Sequence, residues 1–174
     1  MTTPSTNPQA RDLNRWRLCM GVVIAGLVVS GLTAFPLLLE MQWLAGVLGA
    51  PDADGSGLYH SLQVWITRVR DGLADMHGTY PWIAYGTDWL AFGHLVIALF
   101  FVGPLLHPTR DHRSTLLAGI AACVGVIPLA FIAGHVRGIP WGWRLIDCAF
   151  GVIGIVPLLI AWRLQTRLRG RNPG

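Results

Sequence analysis

From Leu18 to Leu39 the chain runs 22 residues without a charged side chain. An α-helix rises ~1.5 Å per residue, so this block alone reaches across the ~30 Å hydrocarbon layer of a membrane. Three more blocks follow: Trp89–Leu106, with His94 inside it, Thr115–Ala133, with no ionisable group, and Leu145–Trp162, with Asp147 near its start. With the apolar residues gathered into blocks this long, a single domain immersed in lipid is the economical reading of the 174 residues. Charge is scarce as well: 13% of residues are charged, against ~25% in soluble domains.

The fold class this predicts is all-α, an integral membrane four-helix bundle, because a helix satisfies its own backbone in lipid. The predicted spans are about 18–39, 87–106, 115–134 and 144–162, within a membrane domain of residues 18–163. Residues 1–17 read as a disordered polar tail and 164–174 as a basic tail. The first block exceeds the ~7–15 apolar residues of a signal peptide, and Ala50, the nearest candidate cleavage site, is followed by Pro51; it is read as a span. Small residues recur at Gly21–Ala25, Ser30–Ala34, Ala118–Ala122 and Gly151–Gly154, the spacing of close helix contacts in membranes.

Orientation follows from arginine, since the chain has no lysine. Nine arginines fall on one side: Arg11, Arg15, Arg17, Arg110, Arg113, Arg163, Arg167, Arg169 and Arg171. Four fall on the other: Arg68, Arg70, Arg137 and Arg144. The richer side is expected in the cytoplasm, placing both termini there in a multi-pass protein of the cell inner membrane. Trp16 and Trp162 would mark the inner interface; Trp43, Trp82, Trp89, Trp141 and Trp143 would mark the outer one.

The connection between the first two spans is the longest. It opens with Glu40 and a turn-rich run at 51–57; Leu58, Leu62, Trp65, Ile66, Val69 and Leu73 then recur at helical spacing. This predicts an amphipathic helix over about 57–75, with Ser56 as N-cap and Gly78 as the stop.

Polar groups gather toward this outer side. Ionisable residues in membrane segments are costly and call for a partner or a use. The candidate functional residues are Asp88, His94, His135, Arg137, Arg144 and Asp147. Arg144 and Asp147 are spaced i, i+3 and are expected to pair. His94 and His135 are the one pair of histidines available to a haem b or metal, a low-ranked reading, and no His-x₃-His, HExxH or CxxC motif is present. Cys19, Cys123 and Cys148 read as buried, inert thiols.

With the inner half of each span almost wholly apolar, a channel through one copy is disfavoured. No basic aromatic platform suggests nucleic acid. No cofactor is predicted. The expected function is that of a non-enzymatic accessory or ligand-binding component with an outward-facing polar pocket, its partners being the bilayer, a lipid or small amphipathic ligand, and a membrane protein or a second copy as homo-oligomer. The second reading is an electron-transfer or intramembrane enzyme subunit using histidines with haem, quinone or metal. The stretches YPWIAYGTDWLAFGHLVIALFFVGP and RGIPWGWRLIDCAFGVIGIVPLL resemble a family of small four-span bacterial membrane proteins. That resemblance implies the architecture and carries no activity.

Overall fold

The computed structural model describes residues 8–52 and 54–170, all of them in helices or their connections. The order is α1 (Pro8–Ala34), α2 (Leu37–Leu48), α3 (Gly57–Thr79), α4 (Pro81–Leu106), α5 (Arg113–Val136) and α6 (Trp141–Gly170). Four of these, α1, α4, α5 and α6, are long and apolar enough to cross a membrane. At 24 to 30 residues they measure roughly 36–45 Å at ~1.5 Å per residue. Flanking residues therefore complete the crossings that the apolar blocks leave short. Large apolar side chains stay on the outside: Leu18, Leu99, Phe100, Phe150 and Ile153 are each about two-thirds exposed or more. Such surfaces would drive aggregation in water and suit lipid as solvent.

The chain forms two compact units, Met1–Leu27 with Ile97–Gly174, and Val28–Val96. In the first, Trp16 and Met20 of α1, Phe101 of α4, Leu116 of α5 and Leu158, Ala161, Leu164 and Leu168 of α6 share one core. All four spanning helices thus meet there. Proline chemistry explains one tether. The carbonyl of Pro104 would ordinarily accept from residue 108, but that residue is Pro108 and has no N–H. The buried Trp16 indole Nε1 donates to that carbonyl instead, at 2.8 Å. Nearby, Gln165 is 1% exposed and its Nε2 donates to the Arg110 carbonyl at 2.6 Å, holding the α4–α5 link to α6. Helices α5 and α6 approach backbone to backbone: a Cβ on Gly151 would stand 2.5 Å from the Cys123 carbonyl oxygen, and one on Gly154 would stand 3.2 Å from Cys123 Sγ. The predicted Gly151–Gly154 seam is thus a real contact. Gly21 has open space around its Cα among the described residues, so it forms no seam.

In the second unit α2 and α3 form a helical hairpin. The Tyr59 hydroxyl and Gln63 Nε2 both donate to the Leu48 carbonyl, at 2.8 and 2.7 Å, satisfying an acceptor that the end of α2 leaves open. The α3 stripe turns Ile66 fully inward, while Leu58 at its start remains 85% exposed. Gly31 of α1 lies against the Ala91 carbonyl of α4, where a Cβ would come within 2.9 Å.

Several expectations need correction. Helix α1 starts at Pro8 and α6 ends at Gly170, so residues 8–17, expected as a disordered tail, are helical; residues 1–7 and 171–174 of the expected tails lie outside the described residues. The stretch Leu37–Leu48, read mostly as connection, is a separate short helix after a break at Phe35–Pro36. Ser56 occupies the N-cap of α3 without a side-chain capping bond. Gly78 does not stop α3; the helix ends at Thr79 because Tyr80 precedes Pro81 and is steered out of the helical region. Trp16 is fully buried rather than an interface anchor, whereas Trp43, Trp82, Trp89 and Trp141 are exposed.

Candidate functional site

The α5–α6 turn is built by its glycine. Gly138 sits at φ +68°, its N–H bonds the His135 carbonyl at 3.1 Å, and the Ile139 N–H bonds the Gly134 carbonyl at 2.8 Å. This paired closure of a helix end needs a left-handed residue, which glycine supplies without strain. Pro140 then starts the descent into α6.

Arg144 stabilises the same turn. Its Nε donates to the Ile139 carbonyl at 2.7 Å, and its stem lies over Gly134, where a Cβ would stand 2.9 Å from Arg144 Cγ. The expected Arg144–Asp147 pair is not formed: among the described residues Asp147 has no ion pair. Spacing made that pair feasible, but the orphan carbonyl of the turn captured the guanidinium.

Asp147 instead shares a shallow groove with Arg137. The groove, about 280 Å³, is lined by Val126, Leu129, Ala130, Ala133, Gly134 and Ile139 besides these two charged residues. It offers one cation and one carboxylate beside an apolar wall, just under the ~300–1,000 Å³ range of ligand sites. His135 is exposed on the last turn of α5 and does not line it.

Asp88 and His94 belong to the second unit. Both are half-buried on α4, and His94 Nδ1 lies 2.9 Å from the Leu90 carbonyl one turn back. That contact leaves Nε2 as the free nitrogen of the ring. Among the described residues no group of three or more His, Cys, Asp or Glu side chains comes together to hold a metal. Three free cysteines are present, Cys19 and Cys148 buried and Cys123 half-buried.

Sequence reasoning overlooked Trp16 and Gln165 as packing residues. The Pro104–Pro108 spacing was the available signal for Trp16, since it announces a stranded carbonyl. No equivalent signal marks Gln165.

The fold defines a small multi-span membrane protein of four long apolar helices. No family model, curated protein or solved structure matches the chain; the expected family is not identified, and the four long apolar helices support a four-span architecture.

Proposed function

We propose that the chain is a non-enzymatic accessory protein of a bacterial inner membrane, holding a small amphipathic ligand, a lipid or a quinone-like molecule, at the α5–α6 turn. The arginine distribution supports both termini in the cytoplasm and this turn on the outer face. The observation that carries the reading is the joint presence of Arg137 and Asp147 on one apolar groove. A cation and an unpaired carboxylate at a membrane boundary are costly unless used. A ligand with an acceptor, a donor and an apolar body would satisfy both and cover the wall.

Mass spectrometry of small molecules retained by the purified protein tests this. A molecule held by the native chain above the bulk lipid background should fall roughly tenfold in R137Q and in D147N, the loss expected for one charge-assisted hydrogen bond. Retention unchanged in both variants, with their helical content intact, would remove the groove from the function.

A further inference from the structure

The start of α1 and the last turns of α6 meet in the first unit and build a second charged feature. Arg11 and Arg15 are four residues apart on α1 and so share a face. Arg167 approaches from the last turns of α6. With Pro8 and Asp12 they line an open groove of about 350 Å³. The three arginines are exposed, whereas Asp12 is only 8% exposed. The charged lining thus carries three cations and one carboxylate, a net charge of +2.

Its position gives the cluster meaning. The apolar block of α1 begins at Leu18 and that of α6 ends at Trp162, so the groove lies just beyond the hydrocarbon, at the level of phosphates in a bilayer. Guanidinium forks match phosphate oxygens with two parallel bonds. Two arginines from one helix and one from another line a single groove, which scattered interface arginines do not. Arg17 and Arg163 belong to the same basic stretches but do not line the groove.

We propose that Arg11, Arg15 and Arg167 form a binding site for an anionic phosphate group at the membrane boundary. This assignment is independent of the groove at the α5–α6 turn.

Native mass spectrometry of the full chain in a non-ionic detergent tests it with three probes: phosphatidylglycerol, phosphatidylcholine and inorganic phosphate. Phosphatidylglycerol should be retained over phosphatidylcholine, and R11Q/R15Q or R167Q should lower its retention roughly tenfold. The matched charge losses, R17Q/R163Q for the double variant and R163Q for R167Q, should leave retention within about twofold, since surface charge away from a site contributes little. Competition by millimolar inorganic phosphate would identify soluble phosphate as a ligand of the same site; no competition would assign it to a lipid headgroup. Equal losses in groove and control variants would overturn the site in favour of diffuse attraction, as would equal retention of both lipids without phosphate binding. If R11Q/R15Q fails to fold, R167Q against R163Q decides alone.

Discussion

Replacing Trp16 with alanine is expected to destabilise the first unit by about 3 kcal/mol, at the low end of the ~3–5 kcal/mol range for removing a large aromatic from a core. The low end applies because lipid tails are as apolar as the protein interior, so the transfer component shrinks and lost packing dominates. Trp16 is fully buried among residues of all four spanning helices. Trp16→Phe separates two causes. It retains most of the packing but strands the Pro104 carbonyl, which should cost about 1–3 kcal/mol. Denaturant titration in detergent, followed by far-ultraviolet circular dichroism, measures both. Values within ~0.5 kcal/mol of native for W16A, the usual range for an uninvolved surface site, would show that this core does not hold the helices together.

The next largest effect is expected at Gly151. An alanine there forces its Cβ to 2.5 Å from the backbone oxygen of Cys123, and a backbone atom cannot swing aside as a side-chain tip can. Helices α5 and α6 must separate, at a cost of about 1–3 kcal/mol for G151A and more for G151L. Gly125 of α5 is the control, since no atom lies within 4 Å of a Cβ built on it. G125L should stay within ~0.5 kcal/mol of native. Thermal unfolding of the three variants reads the difference. Equal behaviour of G151L and G125L would contradict the close pairing.

The sequence made legible whatever depends on the partition between lipid and water. The four spans are continuous apolar runs, and the α3 stripe from Leu62 to Leu73 includes the one fully buried residue of that helix among those described, Ile66. What escaped reading depends on which helix lies beside which. Arg11, Asp12 and Arg15 are polar, so their stretch looked like a tail; α1 nevertheless extends through them, and Asp12 is buried. Leu37–Leu48 is as apolar as a span, and only the break at Phe35–Pro36 separates it as α2. The Gly151–Gly154 spacing signalled a contact correctly, while the similar Gly21–Ala25 spacing did not, because small residues permit close approach without specifying a partner. Arg144 shows the same limit at the site. Its spacing to Asp147 offered a salt bridge, but the carbonyl of Ile139, left open by the turn at Gly138, won the guanidinium. The joint lining of one groove by Arg137 and Asp147 spans ten positions and a chain reversal, which no local pattern encodes.

Cysteine accessibility tests the four-span architecture most directly. With Cys19, Cys123 and Cys148 replaced by alanine, single cysteines are introduced as D52C, T109C, H135C and T166C and exposed in intact cells to a membrane-impermeant maleimide. Four crossings by α1, α4, α5 and α6 place positions 52 and 135 on one side and 109 and 166 on the other, with labelling expected for the first pair and for the second only after lysis. Labelling of all four from one side, or recovery of the chain from the aqueous fraction without detergent, would contradict it.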